Sequence, residues 1–484
     1  MSEICKADNN QLQKLSSSNC YLTSICCEVL SSFLSRNHSL TELNLSNNPI
    51  RDAGMSLICN VSNNQIQKLS LNSCSFTSGC CEVLSSCMRR NRSLTDLDLS
   101  FNQIQDSGMS LICKADNDQI QNLRLNSCSL TSGCCEALCS FLKQNQSLRE
   151  LDLSFNQLKD LGMSEICKAD NNHLQKLSLK RCILTSGCCE ALSSFLKQNQ
   201  SLRELDLSSN IIEDSGMSEI CKADNNQLQK LSLNSCILTS VCCEALCSFL
   251  KQNQSLRELD LSSNELKDSG LSEICEADNN QLQKLRLNSC SLTSGCCEAL
   301  CSFLKQNQSL RELDLSSNEL KDSGLSEICK ADNNQLQKLS LWRCDLTDGC
   351  CKDLASVLHR NQTLTELNLG WNKLRDSGVG EICAALKDPN CKLQTLNLWD
   401  CGLTDGCCND LTSVLRTNQT LTELNLALNA LFDSRVREIC AALKEPNCKL
   451  QTLKLYGHYL SDNMKKEISE IERSKPGLKI ELEF

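Results

Sequence analysis

Cysteine is the residue whose number and spacing first suggest chemistry in this chain. Thirty-nine of the 484 residues are cysteine, and one series recurs at steps of 54 residues with a last step of 57. So many cysteines can have three roles: they form disulfide bonds, they bind metal ions, or they are buried as small apolar side chains. The series runs through Cys20, Cys74, Cys128, Cys182, Cys236, Cys290, Cys344 and Cys401.

The surroundings of the cysteines favour burial over the other two uses. They recur among apolar residues, and adjacent pairs such as Cys134 and Cys135 are expected to point in different directions on a helix. The chain has four histidines and no C-x-x-C, so no metal site is predicted. Because the first residues are too polar for a signal peptide, reduced thiols and a cytoplasmic location are predicted.

Catalytic patterns are absent from the sequence. No P-loop, G-x-G-x-x-G, H-E-x-x-H or G-x-S-x-G motif occurs, and the histidines lie in different repeat contexts. Carboxylates are abundant but follow the repeat, which indicates an architectural role. The sequence therefore predicts a protein that is not an enzyme and needs no cofactor.

A second series shows which elements must position these cysteines. Asparagine recurs between them at the same steps, so the chain alternates A repeats, which close on Cys, with B repeats, which close on Asn. Both fit L-x-x-L-x-L-x-x-N/C-x-L, the leucine-rich pattern of one short strand and a turn. The buried Cys or Asn is expected to satisfy backbone groups of that turn. The asparagines are Asn48, Asn102, Asn156, Asn210, Asn264, Asn318, Asn372 and Asn429.

Each strand is followed by a helical pattern, which predicts an α/β fold. The expected architecture is a right-handed leucine-rich-repeat horseshoe solenoid, with parallel strands on the concave face and helices on the convex face. Nine A strands and eight B strands are predicted, with Asp322 as a helix N-cap and Asn307 ending a helix. The first six complete B repeats are three residues shorter than the last two, which predicts outer helices shorter by about one turn. Asn-x-Ser/Thr sequons recur at the helix ends and are interpreted as structural rather than glycosylated.

One domain is predicted for residues 1–484, because a solenoid grows without splitting its core. Residues 1–11 would be a truncated repeat, 12–449 eight A/B pairs, and 450–484 a terminal repeat with a C-terminal cap. The segment Met1–Gln11 matches Met217–Gln227 residue for residue, so the chain is expected to be the tail of a longer array.

Charge narrows the class of partner. The net charge is −10 and the pI about 5.2, without a basic run, which argues against nucleic acid and membrane and favours a basic protein. On the strands, outward-facing Lys of A repeats, such as Lys176, should stand beside Glu of B repeats, such as Glu204. These rows are interpreted as a self-compensating ladder of ion pairs, with a docking surface as the alternative.

The exceptions to the repeat mark the candidate binding site. Large apolar residues replace Asn, Ser or Gly near the strand ends, and all three tryptophans belong to this set. They resemble an interface hot spot, and the alternative is that they cover the end of the core. The predicted partner-binding residues are Phe101, Phe155, Trp342, Arg343, Trp371, Trp399, Asp400, Leu428, Lys454, Tyr456 and Tyr459.

The alternating array resembles the ribonuclease-inhibitor subtype of leucine-rich repeats. Leu393-Gln-Thr-Leu-Asn-Leu-Trp-Asp-Cys carries the resemblance, as does the closing segment around Tyr456 and Tyr459. Two groups share this subtype: cytosolic ribonuclease inhibitors and the sensor arrays of innate-immune receptors that contain a NACHT module. In the inhibitors, the resemblance implies that Trp342, Trp399, Tyr456 and Tyr459 would grip a ribonuclease.

The sequence departs from the inhibitor pattern at one place. An acidic residue usual between the two tyrosines is absent, and Gly457 and His458 stand there instead. The expected function is therefore a non-enzymatic protein-interaction array of the receptor-sensor type, with an upstream NACHT module in a longer parent chain. The alternative is a cytosolic ribonuclease inhibitor that binds a secretory-type ribonuclease through its concave face.

Overall fold

The computed structural model describes residues 11–60, 65–169, 171–223, 227–277, 281–331, 335–457 and 460–482. Backbone contacts divide the chain into two compact halves, Met1–Ile237 and Leu238–Phe484. Each half alternates three-residue strands with helices. The prediction that the whole chain is one domain stays a prediction.

The described residues of the N-terminal half form nine strands that pair in parallel, each with the next along the chain. The strands are β1 Lys14–Ser16, β2 Glu42–Asn44, β3 Lys68–Ser70, β4 Asp96–Asp98, β5 Asn122–Arg124, β6 Glu150–Asp152, β7 Lys176–Ser178, β8 Glu204–Asp206 and β9 Lys230–Ser232. The helices are α1 Ser24–Arg36, α2 Arg51–Cys59, α3 Cys81–Arg90, α4 Gln105–Cys113, α5 Cys135–Gln144, α6 Lys159–Ile166, α7 Cys189–Gln198 and α8 Glu213–Ile220.

The C-terminal half repeats the same plan, again with parallel neighbours. Its strands are β10 Glu258–Asp260, β11 Lys284–Arg286, β12 Glu312–Asp314, β13 Lys338–Ser340, β14 Glu366–Asn368, β15 Thr395–Asn397, β16 Glu423–Asn425, β17 Thr452–Lys454 and β18 Lys479–Glu481. Its helices are α9 Cys243–Gln252, α10 Lys267–Cys275, α11 Cys297–Gln306, α12 Lys321–Ile328, α13 Cys351–Arg360, α14 Arg375–Leu386, α15 Cys408–Thr417, α16 Asp433–Leu443 and α17 Asp462–Ser474.

Strand alternation separates the core from the outer face of each sheet. In β7, Leu177 is buried, and its neighbours Lys176 and Ser178 lie on the face away from the helices, here called the strand face. Leucines at this and the flanking positions pack against the apolar sides of the helices, which removes both surfaces from water. The predicted leucine-rich-repeat solenoid is confirmed. So is the difference in helix length, because α14 and α16 have 12 and 11 residues and α12 has 8.

The asparagine of each B repeat ties two repeats together, as predicted. The Asn156 side-chain amide donates to the carbonyls of Leu125 and Leu153, both at 2.8 Å. Its Oδ1 accepts from the backbone N–H groups of Cys128 and Leu130 at 3.1 and 3.0 Å. These bonds satisfy buried turn groups that would otherwise cost free energy.

The sequon asparagines are used in the same way. Asn145 is buried, donates to the carbonyl of Asn117 at 3.1 Å and accepts from the N–H of Ser147 at 2.8 Å. A side chain engaged in this way inside the turn is not presented for glycosylation, which supports the structural interpretation.

Two local predictions were wrong. Asp322 is not an N-cap, because α12 begins at Lys321 after Leu320; its carboxylate instead accepts from the backbone N–H of Thr347 at 2.7 Å and from the Thr347 hydroxyl. Cys134 and Cys135 do not point apart. A 3₁₀ turn precedes the helix, so both thiols reach the carbonyl of Thr131, at 3.3 and 3.6 Å.

The chain ends in a strand that the repeat pattern did not predict. β18 pairs in parallel with β17, and the N–H of Ile480 donates to the Glu472 carboxylate at 2.5 Å. The Lys475 ammonium donates to the carbonyls of Leu443 and Cys448 at 2.7 and 2.9 Å. The described residues 450–457 and 460–482 thus close this end of the sheet. The predicted truncated repeat at 1–11 lies, except for its last residue, outside the described residues.

Candidate functional site

The three tryptophans of the chain form one cluster at the carboxyl ends of β13, β14 and β15. The ring centroids of Trp342 and Trp371 lie 5.5 Å apart at an interplanar angle of 75°, and those of Trp371 and Trp399 lie 5.5 Å apart at 73°. Trp342 and Trp399 are 6.5 Å apart. Two edge-to-face contacts of this kind hold the rings in fixed mutual positions. The name tryptophan cluster is used below for these three residues.

A glycine makes room for the cluster. The other complete B repeats carry Ser or Ala at the position of Gly370. A Cβ at Gly370 would lie 3.1 Å from Cδ1 of Trp342 and 3.2 Å from the carbonyl oxygen of Trp399. The missing side chain therefore leaves room for the Trp342 indole beside the backbone of Trp399.

Trp371 is the most exposed ring of the cluster and sits on strained backbone. It is 46% exposed, whereas Trp342 and Trp399 are half-buried. Its φ of +54° is in the left-handed region, which is unfavourable for a bulky side chain. The Arg343 guanidinium lies 5.1 Å from the Trp371 ring centroid, in cation–π range. An exposed aromatic held at a conformational cost is typical of a functional position.

Trp399 carries an unused hydrogen-bond donor. Among the described residues its indole Nε1 is buried and has no hydrogen-bond partner. A buried donor in this state costs free energy. Trp399 Nε1 is thus an unsatisfied donor beneath the surface of the cluster.

The apolar row continues along the next two strands. The N–H of Asp400 donates to the carbonyl of Ala427 at 3.0 Å, and the N–H of Leu428 donates to the carbonyl of Tyr456 at 3.0 Å. Leu428 is exposed and packs directly over Gly457, where a Cβ would lie 2.0 Å from the Leu428 Cδ2. The cluster, Leu428 and Tyr456 therefore lie on five consecutive strand ends, as the sequence predicts.

Charged side chains line the strand face beside this row. Lys338 pairs with Glu366 at 2.7 Å, and Lys454 pairs with Glu423 at 2.7 Å. These hydrogen bonds raise the pKa of both lysines. The predicted ladder of lateral ion pairs is confirmed. The surface forms an open depression of about 320 Å³ lined by alternating charges.

Three predicted site residues do not belong to this row. Phe101 and Phe155 lie in the N-terminal half, both exposed, and Phe155 has the Lys180 ammonium and Arg181 guanidinium each 5.8 Å from its ring centroid. Tyr459 lies outside the described residues. The candidate site in the C-terminal half is therefore the tryptophan cluster with Arg343, Asp400, Leu428, Lys454 and Tyr456.

Phe432 is a surface residue that sequence reasoning missed. It is exposed and borders a second depression of about 440 Å³ with Leu403, Leu428 and Gly457. The signal was present in the sequence, because the equivalent position of the preceding B repeat is the charged Arg375. The apolar row thus extends one step beyond the strand ends.

Metal-ligand clusters, membrane-spanning helices and the cysteine thiols are considered next. Within the described ranges, no three His, Cys, Asp or Glu side chains come together as metal ligands, and no helix is long and apolar enough to cross a bilayer. Every described cysteine is a free thiol. Burial raises the pKa of the Cys128 thiol to about 12, so this thiol is held neutral.

Comparisons with known proteins agree with the repeat architecture. The family model described as Leucine Rich repeat matches residues 36–59, 90–113, 144–167, 198–221, 252–275, 306–329, 360–383 and 417–434. The chain is 37% identical to the ribonuclease inhibitor of Sus scrofa over 86% of this chain and 94% of that protein. It is 35% identical to the ribonuclease inhibitor of Mus musculus over the same shares.

A second group of relatives is larger than this chain. The identity to the human NACHT, LRR and PYD domains-containing protein 14 is 37% over 82% of this chain, which spans 38% of that relative. Leucine-rich repeats, long coverage and identity above a third together define the relationship. The chain belongs to the family of leucine-rich-repeat proteins that includes the ribonuclease inhibitor.

Proposed function

We propose that this protein is a non-enzymatic, cytoplasmic protein-interaction array of the NACHT-receptor sensor type, and that its partner contacts the tryptophan cluster. The observation that carries the proposal is the cluster itself: three indoles in edge-to-face contact, with Arg343 against one of them, at one set of strand ends. Aromatic residues and arginine dominate protein hot spots because they bury much area at little entropic cost. Free thiols throughout the described residues support a reducing compartment.

The ion-pair ladder supports binding at the cluster rather than across the whole strand face. Lys176 lies 3.3 Å from Glu150 and 3.2 Å from Glu204, so its charge is already compensated on both sides. Exposed pairs of this kind contribute little to affinity when a partner must displace them. Among the described residues of the C-terminal half, the tryptophan cluster and its neighbours offer apolar surface that continues over several adjacent strand ends.

The residues at Gly457–His458 favour a sensor array over an inhibitor. The resemblance to ribonuclease inhibitors implies an acidic residue in the segment Gly457–His458. Gly457 has a φ of +81° and lies under Leu428, so this position has no room for a carboxylate side chain. An anionic contact to a basic ribonuclease is therefore missing at this place.

Ribonuclease inhibition is the second candidate function, and one finding favours it. The similarity extends over 94% of the length of the Sus scrofa inhibitor, whereas the chain spans 38% of the human NACHT-containing relative. Under this alternative the partner would be a secretory-type ribonuclease, whose basic charge suits the net charge of −10.

Calorimetric titration in reducing buffer separates the two candidates. The chain is titrated with a pancreatic-type ribonuclease and, in a parallel arm, with the NACHT module of the human relative. The sensor proposal expects measurable binding in the NACHT arm, lost in Trp399→Ala, and no stoichiometric nanomolar complex with the ribonuclease. A tight one-to-one ribonuclease complex with loss of nuclease activity would replace the sensor proposal by the inhibitor.

A further inference from the structure

Three consecutive repeats of the N-terminal half carry isoleucine at the turn that follows the strand. Ile183, Ile211 and Ile237 are 44%, 42% and 56% exposed. The equivalent positions of the two preceding A/B pairs are polar, namely Ser75, Gln103, Ser129 and Gln157. Tyr21 of the first A repeat, 88% exposed, is another large residue at this position, but the run of three isoleucines on neighbouring turns does not follow from the repeat.

Two of these isoleucines have a backbone conformation that is unfavourable for their side chains. Ile183 and Ile237 both have a φ of +59°, in the left-handed region where β-branched side chains are rare. Ser129 has nearly the same φ of +58°, and serine tolerates that conformation better. Exposure and strain at the same residues both oppose folding, which points to a role outside the fold.

The three turns are adjacent, so the side chains belong to one surface. The N–H of Ile211 donates to the carbonyl of Leu184 at 2.8 Å, and Thr185 and Ile211 form a parallel bridge. On the next turn, the N–H of Glu213 donates to the carbonyl of Cys236, the residue before Ile237. Ile183, Ile211 and Ile237 therefore lie in sequence along one edge of the sheet.

Two cations border this edge. Lys180 and Arg181 replace the Asn126 and Ser127 of the preceding A repeat, and both lie 5.8 Å from the ring of Phe155. At the far end Glu213 is the flanking carboxylate. A chain with a net charge of −10 thus presents an apolar stripe with positive charge at one end.

We propose that Ile183, Ile211 and Ile237, with Lys180 and Arg181, form a second docking surface for an acidic amphipathic segment of a protein partner. Apolar side chains of that segment pack on the isoleucines, and its carboxylates pair with the two cations. The surface goes beyond the proposed function, because it lies in the N-terminal half and uses none of the residues of the tryptophan cluster. It remains testable whichever outcome the titrations of the cluster give.

The substitutions that test this surface are taken from the sister repeats. The variant Ile183→Ser, Ile211→Gln, Ile237→Ser installs the residues of the preceding repeats at all three positions. Because it relieves strain at Ile183 and Ile237, its thermal stability should equal or exceed that of the wild type. Leu161→Ser is the matched control, since Leu161 is 78% exposed on α6 and lies outside the surface.

The probe is a fluorescein-labelled amphipathic peptide of about five helical turns, with leucine on one face and glutamate on the other. Fluorescence anisotropy should show saturable binding to the wild type and to Leu161→Ser. The triple variant should lose at least about tenfold in affinity. The double variant Lys180→Gln, Arg181→Gln should lose at least about tenfold as well. A second peptide with lysine in place of glutamate should bind at least about tenfold more weakly.

Several results would overturn the proposal. The proposal is wrong if the triple variant binds the acidic peptide as tightly as the wild type does. It is also wrong if the acidic and basic peptides bind equally, or if the acidic peptide shows no saturable binding. Sedimentation velocity provides the last arm. If the wild type dimerises and the triple variant is monomeric, the stripe is a contact between copies of this chain and the acidic-segment proposal is wrong.

Discussion

Trp342 and Trp399 flank Gly370, and their ring centroids lie 6.5 Å apart although they belong to different A repeats. The B repeat between them contributes the exposed Trp371 and, at the preceding position, no side chain at all. The apolar site is therefore built by three repeats together, and its geometry depends on a glycine as much as on the indoles.

Gly370→Ala should disturb the cluster without unfolding the chain. The new methyl would stand 3.1 Å from Trp342 Cδ1, so the indole has to turn away. Because all three tryptophans lie in the cluster, the tryptophan bands of the near-ultraviolet circular dichroism spectrum report on it. We expect a changed aromatic spectrum and a loss of at most about 1–3 kcal/mol in unfolding free energy. An aromatic spectrum identical to that of the wild type would contradict the packing described. Ser262→Ala, at the equivalent position of another B repeat, is the control.

Trp371→Ser should separate stability from binding. Serine stands at this position in three other B repeats and tolerates a φ of +54° better than tryptophan. The relief of strain offsets the loss of two edge-to-face contacts, so the unfolding free energy should change by less than about 1 kcal/mol. Affinity for the partner should nevertheless fall by about 2 kcal/mol. Urea unfolding and titration calorimetry measure the two quantities. A large loss of stability together with unchanged affinity would make Trp371 a cover for the core.

The sequence was sufficient for the fold because each repeat carries its own strand, turn and helix signals. Asn156 and its equivalents could be assigned from spacing alone, since a buried amide at a strand end has backbone groups to satisfy. Asp322 was misassigned because its partner, Thr347, lies 25 residues further along the chain. A capping rule considers only residues close in sequence and so does not include a partner in the next repeat. β18 was missed because Lys479–Glu481 lacks the leucine pattern and pairs only through the closing segment.

The site was predicted in outline and not in its contacts. Spacing placed Trp342, Trp399 and Tyr456 on successive A strand ends, which follows from the repeat. Spacing could not show that Gly370 leaves room for the Trp342 indole, because that depends on side-chain volume across neighbouring strands. It also could not show that the Trp399 N–H has no partner within the described structure.

Thr347→Val should destabilise the C-terminal half by about 1–2 kcal/mol. Its hydroxyl accepts from the N–H of Gly349 at 3.2 Å and donates to the Asp322 carboxylate. Valine therefore removes the N-cap of the 3₁₀ turn and leaves the Asp322 carboxylate without this hydrogen bond. Thr347→Ser keeps the hydroxyl and should lose much less. The comparison is made by urea unfolding of both variants. A full loss in Thr347→Ser with no loss in Thr347→Val would show that the methyl group of Thr347, and not its hydroxyl, matters.

Alkaline pH should unfold the protein through its buried thiols. Burial raises the pKa of Cys128, Cys182 and Cys290 to about 12 in the folded state, from an ordinary value of 9.0. Between these values the unfolded chain releases protons that the folded chain keeps, so stability is complete below pH 9 and falls as pH rises. Each thiol contributes a loss of about 1.4 kcal/mol per pH unit in this window.

The check is thermal unfolding from pH 7 to pH 11 in reducing buffer. Cys128→Ala and Cys182→Ala should each lower the stability at pH 7 and flatten the decline above pH 9. A melting temperature that stays constant up to pH 11 would show that these thiols are already accessible to solvent.

The most direct test of the central claim compares two residues of the C-terminal half against the partner identified by the titrations. Trp399→Ala removes the indole with the unpaired N–H. Lys338→Gln removes the ammonium group that pairs with the Glu366 carboxylate at 2.7 Å in the ion-pair ladder. Titration calorimetry should show a loss of about 2 kcal/mol or more for Trp399→Ala, and well under about 1 kcal/mol for Lys338→Gln. The reverse order, with Lys338 essential and Trp399 silent, would move the binding site to the charged strand face and contradict the account.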